Sequence, residues 1–135
     1  MNKNAQGVTV EVLGRGETLE VCFADAAAGV FTWWLNITDV QPGHIITFDF
    51  EESDIEQAFL LWLDLLFLKA VEHRMVFAEF RLKREGKIWR ALAAGQKWPQ
   101  TIQQLPRIQA AADTLVLQRV DHHWEVRCSV STSSS

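Results

Sequence analysis

The sequence predicts an α+β fold, with two helices packed on a largely antiparallel β-sheet in a single domain. Three observations carry this expectation. The stretch Asp54 to Lys69 is strongly apolar at helical spacing, and after Gln57 its only interior polar residue is Asp64. Met75 to Lys83 and Trp124 to Val130 alternate apolar and polar residues, the period of half-buried strands. The short connections Glu85-Gly86 and Asp121-His122-His123 suit hairpins, and hairpins pair their strands antiparallel.

The chain order supports each element. Val8, Val10 and Val12 alternate with Thr9, Glu11 and Leu13 in a first strand, which is expected to end in a turn at Gly14-Arg15-Gly16. From Thr18 the period changes to a helical one. Leu19, Phe23, Ala26, Val30 and Trp33 share one face, with Glu20, Asp25 and Thr32 outward. Asn36 to His44, containing Pro42-Gly43, reads as a loop, and Ile45 to Phe50 has strand composition. Met75 to Lys83 and Ile88 to Ala94 form a hairpin about Glu85-Gly86, and Trp98 to Pro106 is a connector. Arg107 to Ala112, Thr114 to Val120 and Trp124 to Val130 read as three short strands, the last placing Trp124, Val126, Cys128 and Val130 on one side.

The central helix between these strands is expected to begin with a capping box, Ser53 with Glu56. Ile55, Phe59, Trp62 and Leu66 share its main buried face, each large side chain contributing about 2 kcal/mol when taken out of water. The opposite face is unusual, because Leu61 and Leu68 accompany Gln57 and Asp64 where a surface helix carries charge. Either a second layer of core covers this face, or Leu61, Asp64 and Leu68 form a partner-binding surface.

A chain of 135 residues with 48% hydrophobic and 22% charged content can build one sizeable core. Residues 1–130 are expected to form the domain and 131–135 a polar tail. A formal net charge of -4 argues against coating nucleic acid by bulk charge. Two cysteines are too few for a disulfide framework, the start of the sequence has no apolar signal core, and the apolar run is too short to span a bilayer. These features together predict a cytoplasmic protein without a membrane span.

Three clusters bear on chemistry. Arg81, Lys83, Arg84, Lys87 and Arg90 crowd one hairpin around Trp89, a candidate contact for RNA or an acidic partner, set against a solvated edge that discourages aggregation. Asp49, Glu51, Glu52, Asp54 and Glu56 surround the helix start, where the helix dipole accounts for them without a cation. Asp121-His122-His123 is similar to a phosphoesterase metal motif but lacks its further ligands, and a hairpin turn explains it. Cys22 and Cys128 lie in apolar patterns as core thiols.

Several of these segments resemble the archease family, small proteins associated with RtcB-type RNA ligases in tRNA splicing and RNA repair. Gly16-Glu17-Thr18-Leu19-Glu20 followed by Ala26-Ala27-Ala28-Gly29-Val30-Phe31 is similar to the family's T-L-E-E and A-A-x-G-L-F segments. Asp54-Ile55-Glu56 with Trp62-Leu63-Asp64-Leu65-Leu66 resembles its D-L-E-E-L-L-x-x-W-L-N-E-L-L helix, and Met75 to Phe80 its L-V-F-S-x-F strand. The resemblance implies an archease-like domain and a non-enzymatic role in promoting ligase guanylylation and turnover.

The family's metal-site positions depart from its pattern. They fall on Gly7, Gln109, Thr114 and Ser129, where the resemblance would require aspartate, lysine, histidine and aspartate. A hard divalent ion wants several oxygen ligands, preferably carboxylates, so the sequence predicts no metal and no cofactor at these positions. Asp113, one residue from the histidine position, offers only a single carboxylate. The leading expectation is an accessory protein whose partner is an RtcB-type RNA ligase. The alternative is a binding or scaffolding protein, for instance a homodimer, that kept the fold and lost the metal site and the ligase-activating role. A metal-dependent hydrolase comes third.

Overall fold

The elements run β1 (Thr9–Gly16), α1 (Leu19–Leu35), β2 (His44–Glu51), α2 (Ile55–His73), β3 (Met75–Glu85), β4 (Ile88–Lys97), β5 (Arg107–Val120) and β6 (His123–Ser133). They come from a computed structural model that describes residues 8–35, 39–100 and 107–133. The fold is α+β, as the periodicities predict, but the strands divide into two three-stranded sheets, β1-β6-β5 and β2-β4-β3. Every pairing within them is antiparallel. Helix α1 packs on β1 and β6 of one sheet and on β3 of the other, while α2 touches β3 and β5. The helices therefore bridge the inner faces of both sheets.

The core forms where these layers meet. Trp62 is fully buried and its indole N–H donates to the Phe23 carbonyl at 3.0 Å, which ties α2 to α1. Phe23 stacks on Trp89 at 5.4 Å between centroids and meets Phe59 edge-on at 5.1 Å. Such ring pairs add about 1 kcal/mol each beyond burial. Among the described residues no polar or charged side chain is fully buried, so the core is held by shape and apolar area.

Several boundaries differ from expectation for identifiable reasons. Gly14 and Gly16 lie inside β1, paired with Val126 and Trp124, and make no turn. A Cβ on Gly14 would sit 2.6 Å from the Cys22 carbonyl oxygen, so glycine here lets α1 approach the strand. Asp54 rather than Ser53 is the α2 N-cap, its Oδ1 accepting from the Glu56 and Gln57 N–H groups at 2.9 and 3.1 Å. The helix continues to His73, beyond the expected Lys69, and closes at Arg74 in a left-handed conformation (φ 52°).

In β3 a bulge between Phe77 and Glu79 breaks the expected alternation. Met75, Val76 and Phe77 are all buried, and Ala78 is exposed although its spacing placed it inward. The two expected strands at 107–112 and 114–120 are one strand, β5, interrupted by a register shift between Ala111 and Val116. β6 runs to Ser133, with Thr132 donating its N–H to the Val8 carbonyl at 2.9 Å, so residues 131–133 are strand. Among the described residues no helix is long and apolar enough to cross a membrane.

Candidate functional site

The outer face of α2 is covered along only part of its length. Leu61 is half-buried and packs against the core, whereas Leu68 and Val71, about two and three turns further along the helix, are each 51% exposed. Asp64 lies between them. It lines a cleft of about 590 Å³ with Arg107, Ile108, Gln109 and Ala110 of β5 and Ser131 and Thr132 of β6. Desolvation by the cleft walls raises the Asp64 carboxyl pKa above its ordinary range. The second core layer and the open surface thus both occur, at different points along one helix face.

Further along β5 the register shift is closed by a side chain. Thr114 Oγ accepts from the Ser129 N–H at 2.8 Å and donates to the Ala111 carbonyl at 2.7 Å, standing in for the interrupted ladder. The turn after β5 takes Asp121 into a left-handed conformation (φ 56°). His123 Nε2 lies 3.2 Å from Glu125 Oε2, and Arg15 Nε lies 3.1 Å from the same oxygen. The His123 hydrogen bond, aided by Arg15, lowers the Glu125 pKa. The Asp121-His122-His123 motif is therefore part of a hairpin clasped to β1.

Two sets of relatives share this architecture. The model of the Archease protein family (MTH1598/TM1083) matches residues 9–130, nearly the whole chain. The chain belongs to the archease family. Among solved structures it is similar to protein 1598 of Methanobacterium thermoautotrophicum, at 17% identity and a TM-score of 0.76, covering 96% of this chain and 94% of that one. It is also similar to a Thermotoga maritima protein described as an archease, possible chaperone, at 14% identity and a TM-score of 0.60, covering 99% of this chain and 94% of that one. No curated protein matches in sequence. At these identities the structural likeness carries the fold alone.

The described positions that the resemblance assigns to a metal site are neighbours on β5 and β6, since Gln109 pairs with Ser131, two residues from Ser129, and Ala111 pairs with Ser129 itself. Gln109 lines the Asp64 cleft, while Thr114 and Ser129 face each other across the register shift. Gly7 lies outside the described residues. At the three described positions the donors are an amide and two hydroxyls, and Thr114 Oγ is already engaged with the backbone on both sides. Such neutral donors do not fit a hard divalent cation. Among the described residues no group of three or more His, Cys, Asp or Glu is placed to hold a metal ion. The cleft residues Arg107, Ser131 and Thr132 carried no sequence motif, because only the sheet register brings them beside Asp64.

The basic hairpin is largely occupied with structural contacts. Lys87 pairs with Glu51 at 2.9 Å, Arg90 with Glu85 at 3.5 Å, and Arg84 lies over the Trp89 ring at 4.9 Å. Trp89 itself is fully buried and donates its indole N–H to the Glu52 carbonyl at 2.9 Å. Trp89 is therefore not available to stack on a base, its ring being buried against Phe23 and Phe50. The nearby carboxylates are also engaged, with Asp54 capping α2 and Glu52 accepting from the Asp54 N–H at 3.2 Å.

Neither thiol is set up as a nucleophile. Burial, with Asp25 and Glu125 nearby, pushes the Cys22 pKa up to about 12, and burial likewise raises that of Cys128. Both thiols lie in the core beside backbone carbonyls, Cys22 Sγ being 3.5 Å from the Gly14 oxygen.

Proposed function

We propose that this archease is a non-enzymatic accessory protein of the cytoplasm that acts by contact with a protein partner, an RtcB-type RNA ligase, in tRNA splicing or RNA repair. The open end of the α2 face carries this reading. Leu68 and Val71 are exposed side by side on a helix whose other faces are buried, and such an apolar patch marks a contact surface. The family membership and the description of the Thermotoga maritima relative as a possible chaperone support a role exercised on another protein. The raised thiol pKa values and the neutral donors at the family's metal positions are consistent with a role other than catalysis.

The test is guanylylation of the ligase from the same organism, with and without this chain. A faster reaction on its addition supports the reading, and an unchanged rate overturns the ligase role. A second reading rests on the same apolar residues, because a helix face of this kind can also pack on its own copy in a two-fold dimer. Sedimentation of the chain alone distinguishes it, since a dimer lost in Leu68→Glu would assign the surface to self-association.

A further inference from the structure

A second surface lies on the other side of the molecule, on the outward face of the β2-β4-β3 sheet. The register places Asp49, Arg90 and Lys83 in one row across the three strands, and Thr47, Leu92 and Arg81 in the next. These six line a shallow groove of about 440 Å³. Its floor is aliphatic, with half-buried Leu92 at the centre.

The charge of this groove runs against that of the chain. Three cations face one carboxylate there, although the formal net charge of the whole protein is -4. Arg90 is held toward Glu85, but among the described residues Arg81 and Lys83 have no ion-pair partner. Two adjacent cations on one strand repel each other, and an arriving anion would relieve that repulsion.

The chemistry of the face selects the kind of anion. A single-stranded nucleic acid is recognised by aromatic side chains on which its bases stack. Every aromatic side chain of this sheet points the other way, with Phe48, Phe50, Phe80 and Trp89 all packed into the interior. Asp49, Glu51, Glu79 and Glu85 also stand on the outward positions of β2 and β3, where they would oppose a continuous line of phosphates. An occupant with spaced carboxylates and aliphatic side chains meets both constraints. We infer that this groove docks an acidic, leucine-bearing segment of a protein partner, with carboxylates on Arg81 and Lys83 and an aliphatic side chain over Leu92.

The inference rests on the partner-binding reading above but uses a different surface, so the two fail separately. Fluorescence anisotropy of the full chain against a labelled peptide of glutamate and leucine tests it. The comparison ligands are the same peptide with glutamine for glutamate and an oligouridylate RNA. The acidic peptide is expected to bind, and raising salt or introducing R81E with K83E should weaken binding roughly tenfold. A milder pair, R81Q with K83Q, should give a smaller loss at an unchanged melting temperature, which separates lost docking from lost folding. No binding of the acidic peptide, equal binding of the glutamine peptide, or binding indifferent to both variants would overturn the proposal. Preferential binding of the RNA would overturn the assignment to a protein segment. Ligase stimulation by the unaltered chain is scored apart, and its absence would leave the peptide result standing.

Discussion

At the scale of single residues, burial decides which side chains are chemically available. Cys22 is fully buried against β1, and its pKa is raised from 9.0 to about 12, chiefly by desolvation. A raised pKa in the folded state means that folding favours the protonated thiol. Its contribution to stability is therefore complete below pH 9.0 and is lost as pH rises toward about 12. Melting temperature is expected to fall across that window, and Cys22→Ala should make the fall shallower, whereas an unchanged slope would show that the thiol is not the titrating group. The sequence places Cys22 and Cys128 correctly among apolar neighbours. It does not reveal that Trp89 is buried, because the residue sits among charges on β4 and only the packing of Phe23 and Phe50 onto it decides its side.

At the scale of elements, long periodic segments are legible and their interruptions are not. The face Ile55, Phe59, Trp62 and Leu66 follows from spacing alone, as does the alternation of Trp124, Val126, Cys128 and Val130 in β6. The extra residue at Ala78 and the longer shift after Ala111 reverse the alternation midway, so a period-two reading assigns Ala78 inward and splits β5 in two. Glycines mislead in the same way, since a turn and a close helix approach favour the same residue and only the contact between Gly14 and α1 distinguishes them.

The start of α2 gives a direct test of the local assignment. Asp54 holds two otherwise unpaired N–H groups, so Asp54→Ala should lower stability by about 1 kcal/mol in a denaturant titration. Ser53→Ala should leave it nearly unchanged. The reverse order would restore Ser53 as the cap.

At the scale of the whole molecule, two sheets with two helices between them leave distinct outward surfaces. The family is legible in the sequence through core positions such as Trp62 and the Met75 to Phe80 strand, which the fold requires whatever the protein does. The candidate surfaces are less so. Leu61, Asp64 and Leu68 look equivalent on a helical wheel, but Leu61 packs on the core, Asp64 borders the β5 cleft, and Leu68 with Val71 faces out. Sheet register likewise gathers Thr47, Arg81 and Arg90 from three separate strands.

The central claim is that the open α2 face engages the ligase. Titrating the ligase with the unaltered chain and with the Leu68→Glu/Val71→Glu variant, followed by isothermal calorimetry, measures that contact directly. Both side chains are half-exposed, so the variant should fold normally. The account predicts a saturable complex with the unaltered chain and a loss of affinity of about tenfold or more in the variant. Equal affinity for the two chains, or no complex with either, would contradict it.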